Sequence, residues 1–140
     1  MNIDIGMSGN RGGMSENAKS TIYNIINTDF NGKIHNVRHG DCVGSDCDFH
    51  KICSGLGLNV IIHPPNVNSM RAFCKSDTIL EPKPFLIRNK DIVNSSNILV
   101  AFPDSKEELL RSGTWSTIRY ARKMNKKIII IYPDGSVNDY

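Results

Sequence analysis

The run Ile128-Ile129-Ile130-Ile131-Tyr132 constrains the fold more than any other part of the sequence. Four consecutive β-branched residues favour a strand, and the absence of polar alternation predicts that both faces of this strand are buried. A strand that is covered on both faces is typical of the interior of a parallel sheet, because the crossover connections place helices on each side. The run therefore predicts an α/β protein.

The remainder of the chain alternates short apolar runs with longer amphipathic stretches, the pattern of βαβ units. We expect an open, mainly parallel five-strand sheet with helices on both faces, in which the first and fourth strands are adjacent and the last two are interior. The long segment 64–84 contains four prolines and predicts an irregular loop. The predicted strands are Ile3–Met7, Ile34–His39, Asn59–His63, Ile98–Phe102 and Ile128–Tyr132.

Size and composition indicate one ordinary domain. The 140 residues are 39% hydrophobic, 22% charged and 7% aromatic, which argues against a disordered chain and against an aromatic-rich platform for stacking bases. We expect a single domain over residues 1–140, with 136–140 frayed. No apolar run approaches the roughly 20 residues that span a bilayer, and no secretory signal begins the chain, so we expect a cytoplasmic protein with no membrane partner.

The cysteine and histidine pattern does not predict a metal site or any other cofactor. Cys42, Cys47, Cys53 and Cys74 show no CxxC spacing and are expected to be free thiols. The three central histidines fall in different predicted elements without a recognised ligand spacing. These are His39, His50 and His63.

Three small-residue turns follow predicted strands and precede predicted helices. They are Ser8-Gly9-Asn10-Arg11-Gly12, Gly40 to Asp46, and Ser112-Gly113-Thr114. The carboxyl ends of parallel strands meet at one edge of the sheet, where ligands bind at the point of reversed strand order. Glycine lets the backbone approach a phosphate, and a helix amino terminus adds partial positive charge. Together the three turns predict an anion-binding crevice, although none matches the GxGxxG or GxxxxGK[ST] pattern.

The order of these turns, with Arg88-Asn89 before the fourth strand and Gly113-Thr114 opening a helix, resembles the SLOG superfamily. That group includes the Lonely Guy phosphoribohydrolases, the DNA-processing protein A family and nucleotide-sensing domains of bacterial defence systems. The resemblance covers residues 3–135 and is nearest to small stand-alone members. It implies a Rossmann-like fold that holds a nucleotide or nucleotide-derived ligand over the turns, often in a homodimer.

The sequence departs from the hydrolytic Lonely Guy enzymes at one position. Those enzymes carry Pro-Gly-Gly-x-Gly-Thr-x-x-Glu, and Thr117 stands here where their glutamate stands. A neutral hydroxyl cannot stabilise an oxocarbenium ion or act as a general base near neutral pH. Arg88 matches the arginine that the enzymes use, so the resemblance implies that ligand binding persists while cleavage is slow or absent.

We therefore predict a protein that binds a nucleotide-like molecule as a sensor, carrier or sequestering protein. One alternative is a nucleotide N-glycosidase in which Asp46 replaces the missing acid. Another is nucleic-acid binding through the basic residues 119–127, which a solvated helix face explains more simply. Asp41 has capping as an alternative role, and Trp115 has core packing. The predicted ligand-binding residues are Ser8, Gly9, Asn10, Arg11, Gly12, Gly40, Asp41, Gly44, Asp46, Arg88, Asn89, Gly113, Thr114 and Trp115.

Overall fold

A single sheet with helices on both faces organises residues 2–139, which are the residues that the computed structural model describes. A short 3₁₀ turn, Asn68–Met70, lies in the long loop after the third strand. The helices are α1 (Glu16–Thr28), α2 (Ser45–Gly55), α3 (Phe85–Asn94) and α4 (Gly113–Lys123). The strands are β1 (Ile3–Gly9), β2 (Ile34–His39), β3 (Val60–Ile62), β4 (Thr78–Ile79), β5 (Ile98–Phe102), β6 (Lys127–Ile131) and β7 (Val137–Asp139).

The strand order is β4-β3-β2-β1-β5-β6-β7, and every neighbouring pair is parallel except β6 with β7. The chain builds outward from β1 through β2 to β4 and then returns to β1 to build β5 and β6 on its other side. The order therefore reverses between β1 and β5. This confirms the mainly parallel α/β fold, the pairing of the first and fourth predicted strands, and the interior positions of the last two.

The predicted number of strands was wrong, because the sheet has seven rather than five. The two additional strands lie at the edges: β4, of two residues, falls inside the predicted loop, and β7, of three residues, falls inside the tail that was predicted to fray. Both depend on pairing with a distant partner rather than on an apolar run of their own. Tyr140, the last residue of the predicted frayed tail, lies outside the described residues.

Two apolar layers cover the sheet. Helices α1 and α2 pack on one face, where Ile22 and Phe49 meet Ile5, Val100 and other buried strand residues. Helices α3 and α4 pack on the opposite face, where Ile118 meets Leu99 and Ile130. Successive residues of β5 alternate between the two layers, as the period of a strand requires, and all five are buried.

Local sequence signals explain where α1 and α4 begin. The Ser15 hydroxyl accepts the backbone N–H of Ala18 at 3.0 Å, and the Ser112 hydroxyl accepts that of Trp115 at 3.3 Å. Each serine thus satisfies one of the amide donors that a helix start leaves without an intrahelical acceptor. Within residues 2–139, no helix has the length and apolar character needed to cross a membrane.

Candidate functional site

A cavity of about 530 Å³ opens at the carboxyl ends of β1, β2 and β5, where the strand order reverses. The first turns of α2, α3 and α4 also contribute to its wall. This is the position at which open α/β sheets bind ligands. The lining residues are Met7, Ser8, Gly9, Asn10, Arg11, Gly40, Cys42, Asp46, Phe85, Leu86, Arg88, Asn89, Ile92, Asp104, Arg111, Ser112, Gly113 and Thr114.

The turn after β1 is fixed to the neighbouring strand and helix by close backbone contacts. The backbone N–H and the side-chain amide of Asn10 both donate to the Phe102 carbonyl, at 3.1 and 3.0 Å. A Cβ on Gly9 would collide with the side chain of Ser45 in the first turn of α2. Glycine at this position therefore lets the start of α2 reach the cavity wall.

Arg88 is buried at the base of the cavity, with 5% of its surface exposed. Its guanidinium donates to the carbonyls of Gly40 and His63 and, through Nε, to the side chain of Asn89 at 2.7 Å. A Cβ on Gly40 would occupy the place of this guanidinium. Arg88 therefore joins α3 to the ends of β2 and β3, and its positive charge reaches the cavity while most of its donors bond to protein carbonyls.

Asp46 lies beside Arg88 in the first turn of α2 and is 7% exposed. Burial raises the pKa of its carboxyl to about 6, although the backbone N–H of Cys42, which donates to Oδ2 at 3.0 Å, and the charge of Arg88 act in the opposite direction. Asp46 is thus a carboxyl group that lines the cavity and titrates close to neutral pH.

Arg11 and Arg111 lie at the mouth of the cavity, where both are exposed. The Arg11 guanidinium lies 5.6 Å from the centre of the Phe85 ring. Among residues 2–139, neither guanidinium forms a hydrogen bond or an ion pair. The first turn of α4, at Gly113 and Thr114, lines the same cavity and adds helix-terminal amide donors. The mouth of the cavity is therefore suited to an anion.

The structure brings ten of the predicted ligand-binding residues to this cavity. Two of the other four, Gly12 and Gly44, lie nearby: Gly12 lines a separate cavity of about 170 Å³, and Gly44 precedes α2 with a φ of 95°. A side chain on Gly44 would collide with the Arg11 backbone. The ten residues are Ser8, Gly9, Asn10, Arg11, Gly40, Asp46, Arg88, Asn89, Gly113 and Thr114.

Asp41 and Trp115 do not line the cavity. Asp41 is fully buried, and its carboxylate accepts Arg71 Nε and the backbone N–H of Cys74, both at 2.9 Å. Trp115 is 2% exposed and packs in the apolar layer beneath α4. In the described part of the chain its indole N–H has no acceptor. Asp41 therefore ties the 64–84 loop to the turn after β2, and Trp115 fills the apolar layer beneath α4.

Several lining residues were missed by the sequence analysis. Phe85 and Leu86 open α3 and form an apolar wall, while Cys42, Asp104 and Arg111 come from the turns. Arg111 could have been found, because it immediately precedes the predicted helix start at Ser112-Gly113-Thr114, where a cation would face any bound anion. No sequence signal singles out Phe85 or Leu86, since an apolar residue at a helix start usually packs in the core.

Thr117 lies away from the cavity. It is buried, its hydroxyl donates to the Gly113 carbonyl at 3.0 Å, and its surface belongs to a small groove between α3 and α4. In this geometry a carboxylate at position 117 would not face the mouth of the cavity. Thr117 therefore contributes to the groove between α3 and α4 and not to the cavity.

A second polar cluster lies behind the turn that follows β2. Ligand atoms of His39, His50 and Cys74 lie within 4.8 Å of one another. However, His39 Nδ1 accepts the backbone N–H of Asp41 at 2.9 Å, so the ring proton lies on Nε2 and is donated to His50 Nδ1 at 2.9 Å. A metal would need the electron pair that this proton occupies. We therefore interpret the cluster as a chain of hydrogen bonds.

Neither the Cys53 and Cys74 thiols nor the basic segment 119–127 lines the cavity. All four cysteines, each within the described residues, are free. Burial raises the pKa of the Cys53 and Cys74 thiols to about 12, so they are protonated and unreactive at neutral pH. In the basic segment, Arg119 and Arg122 both bond to the Glu108 carboxylate, at 3.2 and 3.0 Å.

Comparison with known proteins identifies a similar fold. No protein-family model matches the chain, and none of the curated proteins is significantly similar to it. Among solved structures, the fold is similar to that of the molybdenum cofactor binding protein from the phototrophic bacterium Rippkaea orientalis, with a TM-score of 0.71 and 19% identity. The likeness covers 94% of this chain and 77% of that one. It shows a Rossmann-like α/β fold.

Proposed function

We propose that this protein binds a nucleotide or nucleotide-derived anion in the cavity between β1 and β5, as a sensor, carrier or sequestering protein. One observation carries the proposal: the guanidinium groups of Arg11 and Arg111 lie at the mouth of the cavity and have no polar partner among residues 2–139. Arginine presents a fork of donors that matches phosphate oxygens. A phosphate bound at the mouth would lie near the start of α4, with the positive charges of both arginines on the same cavity.

The remainder of the cavity supports the same ligand class. Its volume of about 530 Å³ falls in the range of small-molecule sites, and Met7, Phe85, Leu86 and Ile92 supply apolar surface for a ring system. The SLOG resemblance favours a nucleotide. The likeness to a molybdenum cofactor binding protein supports a carrier role and makes that cofactor a second candidate ligand.

Calorimetry with adenosine monophosphate, guanosine monophosphate and inorganic phosphate tests the proposal. We expect Arg11→Ala and Arg111→Ala each to weaken nucleotide binding by roughly ten- to a hundredfold, the effect of losing one charge-assisted hydrogen bond. Lys51→Ala, which removes an exposed cation that does not line the cavity, is the matched control and should bind as the wild type does. Arg88→Ala is a poorer test because it would leave two buried carbonyls without their donor.

Mass spectrometry of the protein as purified, with its molybdenum content measured in parallel, addresses the identity of the ligand. A bound nucleotide mass would support the nucleotide proposal, and stoichiometric molybdenum would favour the cofactor. The proposal is contradicted if the wild type binds none of the three probes and carries neither ligand, or if both arginine variants bind like the control.

Cleavage of an N-glycosidic bond is a second candidate, favoured by the Asp46 carboxyl in the cavity with its pKa raised to about 6. A carboxyl that is part protonated near neutral pH is suited to protonate a leaving base. Chromatographic detection of free base tests this activity. If the protein is such an enzyme, release of the base should be lost in Asp46→Asn while binding persists.

The resemblance further implies a homodimer, and α3 and the loop before α4 carry apolar surface that a second copy could cover. Leu86, Ile87, Leu109 and Leu110 are all exposed there, Leu110 by 84%. Contiguous exposed apolar residues often mark protein interfaces. Analytical ultracentrifugation gives the mass directly, and a monomer at micromolar concentration would contradict the homodimer.

A further inference from the structure

The deep part of the cavity differs in charge from its mouth. Arg11 and Arg111 are exposed at the mouth, whereas Asp46 and Arg88 are both buried at the base. A ligand whose anionic group rests on the exposed arginines therefore extends its other end toward Asp46. This step rests on the function proposed above and asks which chemical group would meet the buried carboxyl.

Asp46 keeps capacity to accept hydrogen bonds. A carboxylate offers about four lone-pair directions, and the backbone N–H groups of Cys42 and Gly40 account for two of them. Arg88 contributes charge but directs its donors to Gly40, His63, Asn89 and Cys42 rather than to Asp46. At pH 8 the carboxyl is ionised, because this lies well above its pKa of about 6. A buried anion with unused acceptor sites favours a ligand that brings donors.

The wall beside Asp46 suits a flat ring. The Phe85 ring is half-buried and lines the cavity, and the guanidinium groups of Arg11 and Arg88 lie 5.6 and 5.4 Å from its centre. An aromatic ligand packing against this wall would present its edge, rather than its face, to the base of the cavity. The hydrogen-bonding pattern of that edge then decides how well the ligand binds.

We propose that Asp46 is a specificity-determining residue that accepts two N–H groups from the edge of the ligand ring, and so selects an amino group beside a ring N–H. Guanine and pterins carry this edge. Adenine offers one amino donor, but its neighbouring ring nitrogen carries an electron pair that would face a carboxylate oxygen. The cavity should therefore prefer guanine-type over adenine-type ligands of equal charge.

Calorimetry at pH 8 with three monophosphates tests the preference, because guanosine, inosine and adenosine monophosphate share one ribose phosphate. We expect guanosine monophosphate to bind most tightly and adenosine monophosphate most weakly, at least tenfold apart, since hydrogen bonds to a charged group carry the difference. Inosine monophosphate keeps the ring N–H but lacks the amino group, so it should fall between them. This series uses only the wild-type protein.

Two variants assign the preference to one residue. Asp46→Asn keeps the shape but replaces one acceptor oxygen with a donor, so the preference for guanosine monophosphate over adenosine monophosphate should be lost or reversed. Asp77→Asn is the matched control, because Asp77 is an exposed carboxylate that does not line the cavity, and it should keep the wild-type ratio of the two affinities. Circular dichroism verifies that both variants are folded, and the wild-type series decides the outcome if Asp46→Asn does not fold.

Equal binding of guanosine and adenosine monophosphate by the wild type would overturn the inference. So would an unchanged ratio in a folded Asp46→Asn variant. Either result leaves the proposed function standing, since binding itself persists. A wild type that binds none of the three nucleotides contradicts the proposed nucleotide function and this inference together.

Discussion

Asp41, in the turn after β2, and Asp46, in the first turn of α2, lie five residues apart, yet they face different surroundings. Asp41 points into the protein, where Arg71 donates to one carboxylate oxygen and the backbone N–H of Cys74, in the 64–84 loop, donates to the other. Asp46 borders the ligand space, and no side-chain cation among residues 2–139 forms a hydrogen bond with it; burial raises its pKa. The arginines differ in the same way, since Arg71 is paired, whereas Arg11 and Arg111 have no hydrogen-bond or ion-pair partner in the described part of the chain.

This difference separates groups that stabilise the fold from groups available to a ligand. A buried charge whose protein partners complete its hydrogen bonding contributes to a defined structure. A charged group that lines a cavity without such partners can complete its hydrogen bonding only with solvent or a ligand. Removing Asp41 should therefore affect stability, and removing a charge at the cavity should affect binding.

The largest effect should come from Asp41→Ala. It leaves the Arg71 side chain, which is 14% exposed, without its carboxylate partner. It also leaves the backbone N–H of Cys74 without its acceptor. Breaking a buried pair in this way costs about 3–5 kcal/mol of unfolding free energy, which urea denaturation measures. The matched variant Asp46→Asn should lose far less, and above pH 6 it should be neutral or stabilising, because the ionised carboxyl is disfavoured by burial. Equal losses in the two variants would contradict the comparison.

The second-largest effect should be a loss of folding stability at acid pH, which arises from the buried His39. Burial, with the nearby His50, His63 and Arg88, lowers the pKa of His39 to about 3. Between pH 6.5 and 3 the unfolded chain therefore binds a proton at this residue that the folded chain does not, so stability falls as the pH drops. From pH 6.5 to 5 the loss from His39 is about 2 kcal/mol.

Urea denaturation at pH 7 and pH 5 measures this loss, and His39→Gln should reduce it. His63, whose pKa is lowered to about 4, acts in the same direction, whereas Asp46, whose raised pKa favours folding at low pH, acts against it. If the free energy of unfolding of the wild type is unchanged or larger at pH 5 than at pH 7, His39 is not held neutral in the folded protein.

The smallest effect should come from Trp115→Phe. The ring packs beneath α4 and does not line the cavity, so nucleotide affinity should be unchanged. Stability should fall by about 1 kcal/mol, because the lost contacts are partly offset by removal of an N–H that has no acceptor in the described residues. Calorimetry and thermal unfolding report the two quantities, and a tenfold loss of affinity would place Trp115 in the site after all.

Much of the fold could be predicted because its interior strands carry their own signals. The run at 128–132 is apolar without alternation, and β5 and β6 both lie inside the sheet as that pattern requires. Glycine-rich turns at the ends of parallel strands must meet at one sheet edge, which is why ten predicted residues line one cavity. In contrast, β4 and β7 are too short to show a period.

The roles of single side chains depended on partners that are distant in sequence. Nothing near Asp41 predicts that Arg71, thirty residues later and within a proline-rich loop, pairs with its carboxylate. The same holds for Arg88, whose guanidinium meets the carbonyl of Gly40, 48 residues away. A local pattern places a charge at the correct end of the sheet, whereas only the tertiary contacts show whether it is already bonded.

The two short edge strands have a consequence for how copies of this protein can meet. An edge strand offers unpaired backbone groups to any passing strand, and long flat edges promote aggregation. Here β4 is two residues long, and β7 runs antiparallel over three residues and covers the otherwise open side of β6. Each edge of the sheet is thus a strand of only two or three residues. Association of copies through continuous strand pairing is disfavoured, which leaves the outer helix faces as the surfaces through which a second copy would attach.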